Sequence, residues 1–343
     1  MTTTHIIYNE NSNNMHCIPD KSVQLIVTSP PYPMIEMWDE MFKEQSTAVK
    51  EYLDNNDSEL AFERMHQVLD EIWKECDRVL TDNGFVCINI GDATRTINDS
   101  FKMFSNHSRI IQTFINMGYT VLPDILWRKQ SNAPNKFMGS GMYPAGAYVT
   151  YEHEYILIFR KGGKRVFKGT DKFIRQESAY FWEERNVWFS DLWEIRGTSQ
   201  NISKSNTSRT RNASFPLEIP YRLVNMYSVK GDTVLDPFCG LGTTNLACMA
   251  SERNSIGIEV SPEIFELAIN NISEGARGLN NLIESRIASH IDFINSLSDE
   301  KIQKCYKNTP HGFLVKTRQE TALHIRELVN IHSKNNKFIC EYI

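Results

Sequence analysis

A serine, two prolines and a tyrosine follow an apolar, β-branched stretch, and their types suit chemistry on an amino group. Val23–Thr28 predicts a buried strand, which Ser29, Pro30, Pro31 and Tyr32 end because prolines cannot continue it. The Ser29 hydroxyl and the Pro30 carbonyl could accept the two hydrogens of an exocyclic amino group, while Tyr32 could stack on a base. The alternative is a strand that simply ends at proline, with Tyr32 in the core.

A glycine turn after a second apolar strand has the residue types of a cofactor site. Asp236 ends the predicted strand Val234–Asp236, and glycines at 240 and 242 lead into a helix from about Thr243. Ligands of doubly wound sheets bind beyond the carboxyl ends of the strands, where glycines allow close approach. Asn245 stands where a dinucleotide fingerprint has its third glycine, and no P-loop lysine follows. A pyrophosphate site is therefore disfavoured.

Two acids indicate which ligand the turn could hold. Asp236 beside the turn suits a cationic amine better than a phosphate. Glu259, at the tip of the next predicted strand, could accept both hydroxyls of a ribose. A cationic amino acid joined to a ribose describes S-adenosylmethionine. The alternative is a plain joint between a strand and a helix.

Strand and helix patterns alternate along the chain, which predicts an α/β fold with a doubly wound, mostly parallel sheet. Further strands are predicted at Phe85–Ile90, Tyr119–Trp127, Glu154–Phe159 and Ser255–Glu259. Helices are predicted at residues 58–80, at Arg109–Met117 and from Pro262.

Composition limits the class of protein. The 343 residues are 41% hydrophobic and 23% charged with a net charge of -5, as in an ordinary globular chain of one large or two smaller domains. No apolar run approaches the roughly 18 residues of a membrane span, and residues 1–5 lack a signal-peptide pattern. Seven cysteines without C-x-x-C pairs predict reduced thiols in a cytoplasmic protein and no metal site.

The modest net charge hides an asymmetry. Residues 36–82 carry 14 acids and 5 bases, whereas residues 160–212 carry 12 bases and 6 acids. The basic segment is where an anionic polymer would be expected to bind. A solvated, loop-rich surface is the alternative.

The two motifs and the segments between them resemble the DNA amino-methyltransferases, in the permuted order called the β class. Ser29-Pro30-Pro31-Tyr32 is similar to the catalytic motif of that family. The turn after Asp236 is similar to its cofactor motif, and it lies some 200 residues later in the chain instead of earlier. Residues 89–92, 126–129 and 155–161 resemble the middle strands of the family. The resemblance covers roughly residues 5–275 and implies a methyltransferase fold with an inserted DNA-recognition region.

The resemblance implies a substrate and a set of site residues. Serine at position 29 is similar to the members that methylate N4 of cytosine, with N6 of adenine as the alternative. Asn11 takes the place of an acid that the family usually has upstream, unless Glu10 substitutes for it. The implied S-adenosylmethionine site comprises Asp236, Pro237, Phe238, Gly240, Gly242, Thr243, Thr244, Glu259, Asn11, Phe215 and Pro216.

Residues 162–211 correspond to the place where the family usually recognises its DNA sequence. The basic side chains expected to contact double-stranded DNA are Lys164, Arg165, Lys168, Arg175, Arg185, Arg196, Arg209 and Arg211. The target base would be flipped out of the duplex. Residues 1–161 would then form the catalytic half, residues 212–284 the cofactor half, and residues 285–343 an extension of unassigned role.

Partners follow from the same resemblance. It implies two possible partners: a restriction endonuclease that acts on the same DNA site, and a second copy of this chain in a homodimer. A protein that binds DNA without catalysis on a methylase scaffold is the alternative from another class. A cytosine-C5 mechanism would need a cysteine nucleophile, usually after proline, and no Pro-Cys pair occurs.

Overall fold

The computed structural model describes residues 1–129, 138–197 and 215–343. The strands are, in chain order, β1 (Thr2–Tyr8), β2 (Val23–Thr28), β3 (Leu80–Ile90), β4 (Ala93–Ile97), β5 (Ser100–Phe104), β6 (Thr120–Arg128), β7 (Met138–Gly139), β8 (Ala147–Tyr148), β9 (His153–Arg160), β10 (Leu192–Glu194), β11 (Thr233–Asp236), β12 (Asn254–Ile258), β13 (Tyr306–Lys307), β14 (Leu314–Val315), β15 (Leu328–Lys334) and β16 (Lys337–Tyr342). The α-helices are α1 (Asp39–Gln45), α2 (Thr47–Asp54), α3 (Ser58–Val79), α4 (Asn106–Asn116), α5 (Thr170–Glu177), α6 (Trp182–Trp188), α7 (Glu218–Tyr227), α8 (Thr243–Met249), α9 (Pro262–Gly275), α10 (Leu279–Asn295) and α11 (Asp299–Ile302).

Ten of these strands form one sheet in the order β10-β6-β9-β3-β2-β11-β12-β1-β16-β15. Strands β9 and β16 run against the other eight. The prediction of a mostly parallel sheet is therefore confirmed. We call the side where β2, β3, β11 and β12 end the carboxyl edge, and the side where they begin the amino edge.

Helices cover both faces of the sheet, which explains why β2 reads as an almost unbroken apolar run. Leu25 and Val27 pack into a core that includes Ile219 of α7. Ile26, which lies between them, packs into a second core that includes Leu69 of α3. Because successive side chains of a strand point to opposite faces, a strand covered on both faces needs apolar residues throughout.

The C-terminal residues belong to the same sheet. Position 285 lies inside α10, and β16 pairs antiparallel with β1, with Thr3 opposite Cys340. Residues 285–343 thus complete one end of the sheet, although no sequence motif indicated it. None of the helices in the described ranges combines the length and apolarity that crossing a bilayer requires.

Candidate active site at the carboxyl edge

The two sequence motifs meet because β2 and β11 are neighbours in the sheet. Val234 pairs with Leu25 and Leu235 with Ile26, so both strands end at the same place. The Thr28 hydroxyl, one residue before Ser29, donates a hydrogen bond of 2.7 Å to Asp236 Oδ1. The serine motif and the glycine turn therefore lie side by side at the carboxyl edge.

Asp236 is buried among neutral donors. Its side chain is almost inaccessible, and Thr244 donates to Oδ2 at 2.7 Å while the Phe238 N–H donates to Oδ1 at 3.1 Å. Burial raises the pKa of Asp236 to about 6, and the three hydrogen bonds only partly offset this. None of these partners carries a positive charge, so a cationic ligand group would supply the missing counter-charge.

The glycines of the turn are required by backbone shape and by space. Gly240 and Gly242 have φ values of +53° and +76°, in the left-handed region. A Cβ at position 242 would lie 2.5 Å from Ile272 Cδ1 of α9. The turn therefore adopts a conformation that other residues would strain.

Asn245, at the position of the missing third glycine, has a structural role. It is buried, its Nδ2 donates to Ser255 Oγ at 2.9 Å, and its Oδ1 accepts from Cys239 Sγ. These contacts hold the start of α8 against β12. In a dinucleotide fingerprint, glycine at this position lets the helix pack closely on the strand. Here the Asn245 side chain occupies that space.

Glu259 lies beside the turn, directly after β12. Its carboxylate accepts from the backbone N–H of Gly240 at 3.0 Å and from that of Ser261 at 2.9 Å. Burial raises the pKa of Glu259. Each oxygen accepts one of these hydrogen bonds and keeps acceptor capacity. Together with Asp236, this set of acceptors fits a ligand with a ribose diol and a cationic amine.

The loop after β1 contacts the turn through a residue that the sequence did not indicate. Ser12 Oγ donates to the Pro237 carbonyl at 2.5 Å. Asn11, the predicted replacement for an acid, instead accepts through Oδ1 from the Asn13 N–H at 3.0 Å. Glu10 Oε2 lies 3.9 Å from His16 Nδ1.

The remaining predicted cofactor residues are found before α7 and around the turn. Phe215 and Pro216 are buried immediately before α7, and residues 212–214 lie outside the described residues. Phe238 packs its ring 5.8 Å from that of Trp73, and Thr243 begins α8.

Ser29 and Tyr32 belong to a hydrogen-bonded group of five side chains. Ser29 Oγ lies 3.1 Å from Tyr32 Oη, and the Tyr32 hydroxyl donates to Glu154 Oε2 at 2.9 Å. Asn89 Nδ2 donates to Tyr32 Oη at 2.8 Å and to Glu154 Oε2 at 2.7 Å, and Lys129 Nζ pairs with Glu154 Oε1. Burial and the nearby Glu154 raise the pKa of Tyr32 well above its usual value.

A pocket of about 340 Å³ opens beside this group. Tyr32, Gly91, Lys129 and Glu154 contribute to its wall, with Asp92 and residues 150–153. A Cβ at position 91 would lie 3.0 Å from Tyr32 Cε2, so glycine at this position leaves room for the Tyr32 ring. The pocket has the size and the aromatic and polar lining of a small-molecule or base site.

Three residues of the hydrogen-bonded group beside this pocket were not predicted as site residues. Asn89 and Lys129 lie in segments that resemble the middle strands of the family, and Glu154 lies in a predicted strand. The pairing of Trp127 with Glu154 across β6 and β9 brings Lys129 to the carboxylate. That register could not be read from the sequence.

The basic residues predicted to contact DNA are divided between the two edges. Because β9 is antiparallel, the chain after Arg160 leaves at the amino edge. There Arg165 makes two hydrogen bonds, of 2.6 and 3.0 Å, to Asp232 just before β11. The guanidinium groups of Arg165 and Arg175 lie over the Phe167 ring, at 4.7 and 4.8 Å.

The structure therefore does not bring Lys164, Arg165, Lys168 and Arg175 to Ser29. Arg175 and Arg185 line a separate cleft of about 750 Å³ with Phe167 and Tyr180. Arg196 follows β10, whose end pairs with that of β6 at the carboxyl edge. Arg209 and Arg211 lie outside the described residues.

Comparison with known proteins gives consistent matches. A family model described as DNA methylase matches residues 23–270. The type II methyltransferase M.MthZI of Methanothermobacter thermautotrophicus is 49% identical over 98% of this chain and 95% of its own. M.MjaI of Methanocaldococcus jannaschii, also a type II methyltransferase, is 50% identical over 77% of this chain and 89% of its own.

A solved structure agrees with these sequence matches. TTHA0409 of Thermus thermophilus, assigned as a DNA modification methylase and solved with S-adenosyl-L-methionine, is 28% identical with a TM-score of 0.62. The alignment covers 80% of this chain and 95% of that protein.

Proposed function

The chain belongs to the DNA methylase family of S-adenosylmethionine-dependent amino-methyltransferases, and from this premise we propose that it methylates N4 of cytosine in duplex DNA. The target cytosine would be flipped out of the duplex into the pocket beside Tyr32. The enzyme would act as the modification half of a type II restriction-modification system. The observation that carries the proposal is the contact between Thr28 and Asp236, which sets the serine motif beside the cofactor turn.

The residues around the turn would hold S-adenosylmethionine, which supplies an electrophilic methyl group on a sulfonium. Asp236 would face the cationic amine and Glu259 the ribose. Gly240 leaves room for the ligand at the turn, and Gly242 supplies the left-handed backbone that shapes the turn. The remaining contacts of this proposed site are Pro237, Phe238, Thr243, Thr244, Asn11, Phe215 and Pro216.

Ser29 and Pro30 would act on the amino group of the target. Its lone pair is delocalised into the ring, so the group is a poor nucleophile. Hydrogen bonds from its two hydrogens to Ser29 Oγ and the Pro30 carbonyl favour a more tetrahedral nitrogen. Pro31 fixes the backbone, and Tyr32 stacks on the ring, so positioning supplies most of the acceleration.

Cytosine is favoured over adenine by Ser29 and by Lys129. Lys129 Nζ lies on the pocket wall and has three hydrogens, of which Glu154 takes one. Cytosine presents a carbonyl oxygen and a ring nitrogen as neighbouring acceptors, which an ammonium group can bind together. N6 of adenine is the second candidate, because the amino-group acceptors would serve either base.

DNA would approach the carboxyl edge, where the pocket opens and Arg196 lies. The basic residues Lys164, Arg165, Lys168 and Arg175 follow β9 at the amino edge, and we assign them no contact with the duplex at the pocket. A restriction endonuclease with the same site and a second copy of this chain are proposed as further partners.

Product analysis tests the proposal. Plasmid DNA is incubated with the protein and methyl-labelled S-adenosylmethionine, digested to nucleosides and analysed by mass spectrometry. Labelled N4-methylcytosine is the expected product. N6-methyladenine alone would instead establish the second candidate, and DNA binding without any methylated nucleoside would indicate a non-catalytic DNA-binding protein.

A further inference from the structure

We propose that Ser29, Tyr32 and Glu154 form a proton relay that carries away the proton released when the target amino group is methylated. The proposal rests on the proposed function in requiring an amino-group substrate, but it holds for cytosine and adenine alike. Serine is a weak base by itself, so a route for the proton beyond Ser29 is what the site needs.

The direction of the relay follows from the number of hydrogens. Tyr32 has one hydroxyl hydrogen, and it is donated to Glu154 Oε2 at 2.9 Å, since an ionised carboxylate can only accept. In the 3.1 Å contact between Ser29 Oγ and Tyr32 Oη, Ser29 must therefore be the donor. Both hydroxyl hydrogens then point toward Glu154. Asn89 Nδ2 donates to Ser29 Oγ at 3.4 Å, which leaves one lone pair of Ser29 Oγ to accept from the amino group.

Glu154 is held as the acceptor at the end of this chain. Lys129 from β6 pairs with Oε1, and Asn89 from β3 donates to Oε2 at 2.7 Å. The carboxylate side chain is only 12% exposed, whereas Lys129 is 41% exposed. On the same wall, Asp92 pairs with His107 and does not contact Glu154. The ammonium group is the counter-charge of the carboxylate, and its exposed position brings the ion pair next to solvent.

Asn89 is a positioning residue of the relay. It is buried, and its Nδ2 lies 3.4 Å from Ser29 Oγ, 2.8 Å from Tyr32 Oη and 2.7 Å from Glu154 Oε2. One amide group thus contacts all three oxygen atoms. It keeps them in line without accepting a proton.

The proton balance is complete within these residues. The lone pair of the amino nitrogen forms the N–C bond, and the electrons of the broken C–S bond stay on sulfur. The nitrogen, now positively charged, gives a proton to Ser29 Oγ. The Ser29 hydrogen moves to Tyr32 Oη and the Tyr32 hydrogen to Glu154, which becomes a neutral carboxylic acid and later loses the proton to solvent.

Glu154→Gln and Tyr32→Phe test the relay. Each removes one step and keeps the shape of the residue, so each should lower kcat by about 10-fold or more, as general-base losses do. The double variant should lose little more than either single variant, because both interrupt one route.

Binding measurements separate a lost relay from a distorted pocket. The affinities for S-adenosylmethionine and for plasmid DNA, measured by calorimetry and by gel shift, should stay within about 3-fold of wild type in both variants. Glu194→Gln, which removes an exposed carboxylate at the end of β10, is the matched control and should keep wild-type kcat.

Two results would overturn the relay: wild-type kcat in Glu154→Gln, or losses that multiply in the double variant. Each outcome compares the kcat of a variant with that of wild type, so it does not depend on which nucleoside is methylated. Failure of the relay is thereby distinguished from failure of the N4-cytosine assignment.

Discussion

Replacing Asp236 with asparagine should stabilise the unliganded protein while weakening cofactor binding. Burial raises the pKa of Asp236 from 3.8 to about 6, so the folded protein disfavours the ionised carboxyl. A difference of about 2 pKa units corresponds to about 3 kcal/mol at neutral pH. Asparagine has no charge to bury, and its free energy of unfolding at pH 7 should therefore be higher by up to that amount.

The asparagine side chain can keep most of the hydrogen bonds. Its Oδ1 can still accept from Thr28 and from the Phe238 N–H. Its Nδ2 would face Thr244 Oγ1, which can accept from it and turn its own hydrogen toward the Val27 carbonyl, 3.5 Å away. The change therefore removes the charge with little loss of packing.

The raised pKa of Asp236 determines how the free energy of unfolding changes with pH. Because the folded pKa is raised, the stability contributed by the Asp236 carboxyl is fully present below about pH 4 and is lost as the pH rises through about 6. The difference in free energy of unfolding between Asp236→Asn and wild type should grow over this range and stay constant above it. Urea denaturation at half-unit pH intervals measures it.

The same variant should bind S-adenosylmethionine about 10- to 100-fold more weakly, because a hydrogen bond between charged groups contributes about 1.5–3 kcal/mol. Asp82→Asn is the control: this carboxyl is exposed, and its pair with Lys21 lowers its pKa, so its pH dependence has the opposite sign. Two results would contradict this prediction. One is a free energy of unfolding at pH 7 that is equal to or lower than that of wild type. The other is a difference in free energy of unfolding that does not change with pH.

Three further changes test the turn, the pocket and the amino edge. Gly242→Ala should lower the free energy of unfolding by about 2 kcal/mol or more and weaken cofactor binding, because φ is +76° and the new Cβ would meet Ile272; unchanged thermal unfolding would contradict this. Tyr32→Ala should lower kcat by about 10- to 100-fold below that of Tyr32→Phe, because it removes the stacking ring as well as the hydroxyl, while cofactor affinity by calorimetry stays near wild type; a kcat equal to that of Tyr32→Phe would count against stacking. Arg165→Ala should lower the free energy of unfolding by about 2 kcal/mol because it breaks the pair with Asp232, and gel shifts should show unchanged DNA affinity; weakened binding would instead assign DNA to the amino edge.

The sequence was sufficient for the elements that local pattern determines. The predicted strand Val23–Thr28 has the bounds found, and helices begin at Thr243 and Pro262 as expected. The sequence also indicated that both motifs follow strands. It could not show that β2 and β11 are adjacent, because strand order depends on packing between segments some 200 residues apart.

The direction of one strand accounts for two differences between the predicted and the observed site. The apolar run at residues 155–159 indicates a strand but not which way it runs. Because β9 is antiparallel, its first residues lie at the carboxyl edge, which brings Glu154 to Tyr32. Its last residues lie at the amino edge, which carries Arg165 away from the pocket.

The pairing of β1 with β16 places the first and last described residues side by side. The Met1 amino group donates to the Tyr342 carbonyl at 3.1 Å, and the Tyr342 N–H donates to the Met1 carbonyl at 2.9 Å. A short peptide could therefore join residue 343 to residue 1, with new ends opened between Gly197 and Phe215. In such a circular permutant, the glycine turn would precede the serine motif in the chain, and the strands would still form the same sheet. The order of the two motifs along the chain therefore depends on how the strands are connected, and the geometry of the active site does not require it.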